Sequence, residues 1–305
     1  MVSIHTLFFF REESDVMTVL EFQNMVQQGV VLLDGAMGSN LMLNGMPKGV
    51  CTEAWVCEHP EVQKKIQGAY VEAGAQIIYA PTFQANRISL GNHHLENDIR
   101  KFNTIPVQQA KEVAAGKALV AGDLTSTGRF MEEYDVLLEV YKEQIALLKE
   151  AGVDLLAIET MIGMNETMAA IDAAKNVCDL PIICTMTVET DGSLLLGGNI
   201  YEAVATYEAM GASAVGINCS LGPDQLVAIV RGIKEVVSIP VVVKPNAGVP
   251  FINDKGEAEY TMGPEEFAKH MEALVEAGAD LIGGCCGTNP VYISEVKKML
   301  KNREK

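Results

Sequence analysis

Eight short apolar, β-branched runs punctuate the chain, at residues 30–33, 76–80, 118–121, 155–158, 181–186, 213–217, 240–243 and 281–283, each separated from the next by a stretch long enough for a helix. They are nearly continuous in apolar character rather than alternating, as parallel strands covered on both faces require. Repeated strand–helix alternation with crossovers of this length predicts an α/β fold, a single-domain (β/α)8 TIM barrel. The second, fourth, sixth and eighth runs are introduced by related phrases, Glu72-Ala73-Gly74-Ala75, Glu150-Ala151-Gly152-Val153, Glu208-Ala209-Met210-Gly211-Ala212 and Glu276-Ala277-Gly278-Ala279. In each, the glycine falls where a helix should end in a left-handed cap. A duplicated unit and the ordinary chemistry of tight helix-to-strand turns both produce this pattern, and both fit a barrel.

The chain has 305 residues, 49% of them hydrophobic, enough for a large core. The barrel is expected to occupy residues 17–305, with 1–16 an N-terminal extension: Leu7-Phe8-Phe9-Phe10 is a short apolar run, followed by Arg11-Glu12-Glu13 and no cleavage site. No segment reaches the ~20 apolar residues of a membrane span. Lys and Arg total 23 against 40 Asp and Glu, a net charge of −17, which disfavours nucleic acid and anionic membranes as partners. Seven cysteines, an odd number with two adjacent, do not form a secreted disulfide framework, so a reducing cytoplasm is expected.

In a barrel of this kind the reactive face is built at the C-terminal ends of the strands. Polar residues gather there: Asp34-Gly35 after the first run, Thr82 after the second, Asp123 after the third, Glu159-Thr160 after the fourth, Cys219 after the sixth, Pro245-Asn246-Ala247-Gly248 after the seventh and Cys285-Cys286 after the eighth. Closure brings Cys219, Cys285 and Cys286 to one rim. Three thiolates match a zinc site that keeps its fourth position open, whereas structural zinc sites close with four protein ligands. Alone, the pair Cys285-Cys286 also reads as two small residues in a tight turn; Cys219 is what tips it toward metal. The glycines around the pair are expected to leave clearance for a metal and an incoming ligand. Cys51, Cys57 and His59 lack a fourth partner and are read as no metal site, while Cys178 and Cys184 are expected in the core.

Leu32-Leu33-Asp34-Gly35-Ala36-Met37-Gly38, Gly216-Ile217-Asn218-Cys219-Ser220, Pro245-Asn246-Ala247-Gly248 and Gly283-Gly284-Cys285-Cys286-Gly287-Thr288, in this order over roughly 17–300, resemble the zinc-dependent homocysteine S-methyltransferases, most of all the homocysteine-binding module of the cobalamin-dependent methionine synthases. The resemblance implies a (β/α)8 barrel with Cys219, Cys285 and Cys286 as ligands of a Zn2+ ion, and methyl transfer to homocysteine, giving methionine. A free alkyl thiol, with a pKa of ~8.5, is mostly protonated at neutral pH, and binding to zinc displaces that proton. The resemblance also places a substrate-binding acid at Glu159. With it, Asp34 is expected to accept from the substrate ammonium. Backbone amides at Gly35-Ala36 or Asn246-Ala247-Gly248 are expected to cradle the carboxylate, Asn218 to orient a ligand, and Asn246 to occupy or shield the fourth metal position.

Two stretches depart from the family pattern. Tyr79-Ala80-Pro81-Thr82-Phe83-Gln84 stands where Asn-Thr-Phe-Gly is expected, and Asp123-Leu124-Thr125-Ser126-Thr127-Gly128 lacks a Gly-Pro. These leave open a different thiol or selenol acceptor; a non-catalytic, zinc-stabilised subunit is a further alternative. No folate- or corrinoid-binding module is read in the chain, so the methyl donor is expected in trans, as methylcobalamin on a separate corrinoid-binding protein or as a small methyl donor.

Overall fold

The structure, a computed structural model, describes residues 16–253 and 258–303. All eight expected strands form: β1 (Val31–Leu32), β2 (Ile77–Ala80), β3 (Leu119–Leu124), β4 (Leu155–Met161), β5 (Ile182–Met186), β6 (Ala214–Asn218), β7 (Val241–Lys244) and, after a small hairpin of β8 (Pro250–Ile252) and β9 (Ala258–Tyr260), the last barrel strand β10 (Leu281–Ile282). They make one parallel sheet in the order β1-β10-β7-β6-β5-β4-β3-β2. An isolated parallel bridge between Leu33 and Ile77 joins its two edges, and the Asp34 amide donates to the Ile77 carbonyl at 3.1 Å. The expected barrel is therefore present, with helices between successive strands.

Side chains alternate between two cores. Leu32, Ile78, Val120, Leu156, Ile182, Val215, Val243 and Ile282 face outward into the layer shared with the helices. Val31, Leu33, Ile77, Tyr79, Leu119, Ala121, Leu155, Ala157, Ile183, Ala214, Val242 and Leu281 fill the barrel itself. Burial on both faces explains why the strands read as unbroken apolar runs.

Helix Val19–Gln27 closes the end of the barrel at which the strands begin. Thr18 and Glu21 form a capping box at its start, and its buried Phe22 and Val26 join Met17 and the interior strand residues in one cluster. Of the expected N-terminal extension, residues 1–15 lie outside the described residues, and Val16 is exposed. The four helix-ending glycines all take positive φ, at 102° for Gly74, 84° for Gly152, 96° for Gly211 and 108° for Gly278, as the repeated phrase anticipates.

Two features have no counterpart in the apolar pattern. The β8–β9 hairpin is inserted between β7 and the helix Pro264–Glu276. In β4 the register shifts between Ile158 and Met161, and Thr160 is driven to φ 57°, an outlying conformation for a β-branched residue. Phe22 is fully buried under the barrel interior. Phe22→Ala should lower unfolding free energy by about 3–5 kcal/mol in urea denaturation; a loss under about 1 kcal/mol would show that the helix does not plug the barrel.

Candidate functional site

The C-terminal ends of β6 and β10 bring three thiols together. Cys219 follows β6 in a left-handed conformation at φ 49°, its amide bonded to the Lys244 carbonyl at 3.2 Å. The loop after β10 is pinned by three bonds: the Cys285 amide to the Pro245 carbonyl at 2.8 Å, and the Thr288 amide and hydroxyl to the Cys285 carbonyl at 3.1 and 2.8 Å. The Sγ atoms of Cys219, Cys285 and Cys286 all lie within 4.8 Å of one another, and those of Cys219 and Cys286 are 3.5 Å apart. Three sulfurs on a tetrahedral zinc ion at Zn–S of about 2.3 Å would stand about 3.8 Å apart, so the set fits such an ion. It is the one metal-competent His/Cys/Asp/Glu cluster among the described residues, and it offers no fourth protein ligand.

The surrounding glycines do something other than leave open clearance. A Cβ on Gly283 would fall 2.6 Å from the Asp34 carbonyl oxygen, one on Gly284 would strike Thr288, and one on Gly287 would strike the Tyr260 ring. The space is already filled by protein, and the glycines let the loop pack against it.

The three thiols hold their protons unequally. Hydrogen bonds from Cys219 and Cys285, with another from the Tyr260 hydroxyl, stabilise the Cys286 thiolate and bring its pKa down to about 3. Cys219 is drawn down by its bond with Cys285, but its bond to Cys286, burial and nearby negative charge outweigh this and raise it to about 12. Cys285 is held well above the thiol range by its bonds to Cys219 and Cys286 and by burial.

Beside the thiols lies a buried polar chamber. Asp34, Asp123, Glu159 and Lys244 are all less than a tenth exposed. Lys244 Nζ stands 3.4 Å from Asp34 Oδ1, 3.3 Å from Glu159 Oε2 and 3.5 Å from the centre of the Tyr79 ring. Burial disfavours its charge, but Glu159, Tyr79 and Asp34 more than offset this and hold its pKa well above the usual lysine value. Burial raises Asp34 to about 6, against the pull of Lys244 and of the Tyr79 amide, which donates to Oδ2 at 2.7 Å. Asp123 is raised well above the carboxylate range by burial and then by Glu159.

The expected roles of several residues meet this geometry unevenly. Asp34 and Glu159 share a chamber, yet the space between them is filled by the Lys244 ammonium. Asn218, expected to orient a ligand, has its amide committed to protein: Oδ1 accepts from the Thr160 amide at 2.8 Å and the Thr185 hydroxyl at 2.9 Å, while Nδ2 donates to Thr160 Oγ1 at 2.8 Å and faces Cys285 Sγ at 4.0 Å. It is a brace between β4, β5 and a thiol. The Ala36 amide donates to Thr288 Oγ1, and the amides of Asn246, Ala247 and Gly248 donate to Leu221, Cys286 and Asn246 carbonyls, so none of these is available to a carboxylate. Of the backbone amides expected to form a cradle, that of Gly35 remains. Asn246 donates from Nδ2 to the Ser220 carbonyl at 3.3 Å, and its buried Oδ1 has no partner. Cys178 and Cys184 are buried as expected; Cys51 is also buried and donates to Glu53 at 3.4 Å.

Lys244, Tyr79 and Tyr260 were not singled out by the motifs. Two of them are legible by counting in twos along the strands: Ile77 and Tyr79 share the inward face of β2, and Val242 and Lys244 that of β7. Tyr260 arrives on the inserted hairpin, which no strand periodicity announces.

A closed parallel barrel whose strand ends carry a metal-competent thiol cluster beside a buried ionic chamber defines an α/β-barrel enzyme scaffold with a single reactive mouth. Comparison with known proteins makes this specific. The sequence matches the profile described as Homocysteine S-methyltransferase over residues 31–300, and the chain belongs to that family. It is 31% identical over 301 residues, 92% of this chain and 25% of the relative, to the methionine synthase of Mycobacterium tuberculosis (strain ATCC 25618 / H37Rv). To that of Mycobacterium leprae (strain TN) it is 32% identical over 291 residues, 88% of this chain and 24% of the relative. The chain thus spans about a quarter of the length of these relatives. The metallated form of the homocysteine methyltransferase MmuM from Escherichia coli superposes with a TM-score of 0.76 at 25% identity, covering 91% of this chain and 97% of that one.

The raised pKa of Asp34 has a stability consequence. The folded state binds this proton more tightly than the unfolded chain, so its contribution is fully present below about pH 4 and is lost as pH rises through about 6. In urea denaturation, Asp34→Asn should remove from the fall in stability between pH 4 and 6 a component on the order of 3 kcal/mol. Parallel pH profiles for the two proteins would contradict this.

Proposed function

We propose that this chain transfers a methyl group to the thiol of homocysteine, giving methionine, with Cys219, Cys285 and Cys286 holding a zinc ion. The observation that carries this is the cluster of three thiols within 4.8 Å at the barrel mouth, with no fourth protein ligand among the described residues. Family membership and the likeness to a metallated homocysteine methyltransferase support it. Zinc held there supplies the Lewis acidity that keeps a substrate thiol, ordinarily of pKa ~8.5, deprotonated at neutral pH.

The protein's own residues supply the remaining requirements. Three thiolate donors, rather than histidines, keep electron density high at the reacting sulfur. Asn218 fixes Cys285 against Thr160, and Thr288 fixes the cysteine loop. The acids of the chamber receive the substrate ammonium, and the Gly35 amide faces its carboxylate. Because the far end of the barrel is plugged by Phe22 and Val26, the methyl donor approaches through the mouth. The new sulfur–carbon bond forms as the donor–carbon bond breaks, with that electron pair staying on the donor. The donor is supplied in trans, as methylcobalamin carried by a corrinoid-binding protein or as a small sulfonium compound. All seven cysteines are free, which suits a cytoplasmic setting, and among the described residues no helix is long and apolar enough to cross a membrane.

Purified protein should contain one equivalent of zinc and form methionine from homocysteine with at least one of methylcobalamin, S-methylmethionine or S-adenosylmethionine. Absence of methionine with all three would sink the proposal. Cys285→Ser should leave the circular dichroism spectrum unchanged while lowering zinc content and cutting turnover by about 10³-fold or more. Joint loss of metal and fold would instead indicate a purely structural ion.

A further inference from the structure

The inward-facing charges of the chamber are not evenly partnered. Lys244 Nζ lies between Asp34 and Glu159, at 3.4 and 3.3 Å, with the face of Tyr79 below it. Asp34 has a second donor in the Tyr79 amide. Asp123 has nothing comparable: no side-chain hydrogen bond reaches its carboxyl group among the described residues, Oδ1 is fully buried without a partner, and the residue is 6% exposed. On the adjacent strand, the buried Tyr79 hydroxyl also lacks a partner. A carboxyl group withdrawn from water with no donor is costly, so a pair of such atoms marks a place where a polar guest completes the structure.

We infer that Asp123 is a specificity-determining residue that receives the ammonium group of the amino-acid thiol, with Glu159 beside it, while Lys244 serves as the resident counter-ion of Asp34. This rests on the proposed acceptor and differs from the expectation that Asp34 and Glu159 form the ammonium site. The strand register supports it. Asp123 is paired with Ala157 on the neighbouring strand, so Asp123 and Glu159 follow Ala121 and Ala157 along the same inward faces of β3 and β4. Thr82 Oγ1 fixes the Asp123 backbone at both ends, accepting from its amide at 3.1 Å and donating to its carbonyl at 2.9 Å. From Glu159 the path to the thiols is short, through Thr160 and its bonds to Asn218, which faces Cys285. One guest can therefore present an amine to β3 and β4 and a thiol to the cysteine cluster. A hard divalent cation is a poor match, because it demands six or more oxygen ligands and the chamber already contains an ammonium.

The test measures binding of homocysteine and of 4-mercaptobutanoate, the same thiol without its amine, to zinc-loaded protein by titration calorimetry. The native protein should prefer homocysteine by about tenfold or more. Asp123→Asn, which keeps the shape and removes the carboxyl group that can ionise against an ammonium, should cut that preference about tenfold while leaving 4-mercaptobutanoate affinity within about threefold. Asp123→Ser is a second variant should the amide disturb folding, and circular dichroism checks both. A preference unchanged in folded Asp123→Asn or Asp123→Ser protein overturns the assignment of Asp123 alone. Equal binding of the two thiols by the native protein overturns the amino-acid acceptor itself.

Discussion

A parallel sheet closed on itself must end all its strands on one rim, and the buried ionic chamber of this protein depends on that closure. The join is a bridge from Leu33 to Ile77 reinforced by the Asp34 amide, by the Gln76 amide donating to the Leu32 carbonyl at 2.7 Å and by the Leu32 amide donating to Gln76 Oε1 at 3.0 Å. The order of the sheet sets Asp34, at the end of the first strand, near Lys244, at the end of the seventh, with the eighth strand between them, and closure turns Glu159 of the fourth strand toward the same ammonium. The pairing of β6 with β7 and of β7 with β10 carries Cys219 to Cys285 and Cys286. Separating the edges would open the ionic chamber, whose Asp34, Asp123, Glu159 and Lys244 come from four different strands, while the thiol cluster rests on the neighbouring strands β6, β7 and β10.

Two backbone outliers lie on this rim, Thr160 at φ 57° and Cys219 at φ 49°. Such conformations cost about 1–3 kcal/mol each and persist where surrounding contacts enforce them. Here the enforcing group is visible. Asn218, next to Cys219 in the chain, accepts from the Thr160 amide and donates to its hydroxyl, so one side chain holds the bulge of β4 against the end of β6. Parity with Ala157 turns Glu159 inward, the outlier at Thr160 sets its amide and hydroxyl against the brace, and left-handed Cys219 stands with its sulfur 3.5 Å from that of Cys286.

Much of this arrangement can be read from the chain. The strands declare themselves because both faces are apolar, the turns because glycine is needed at φ near 100°, and the cysteines because a third thiol, Cys219, ends another strand on the rim that carries the adjacent pair. Lys244 is harder to see: a lysine after Val243 and before Pro245 looks like an ordinary exposed strand end, and only parity with the inward Val242 reveals that it points into the barrel. The free amides are equally hard to see in the sequence. Which N–H groups are free depends on long-range partners such as Thr288, whose hydroxyl takes the Ala36 amide from the other end of the sequence. Tyr260 depends on the register of a hairpin inserted in a loop, which no local pattern encodes.

The plug formed by Phe22 and Val26 makes the barrel a vessel with one opening. A two-substrate reaction in such a vessel imposes a queue. In the proposed methyl transfer, an acceptor seated against the chamber floor would have to enter before a donor at the mouth, and the methylated product would leave only after the spent donor withdrew. The order of that reaction would then be set by a helix at the opposite end of the barrel from the thiols.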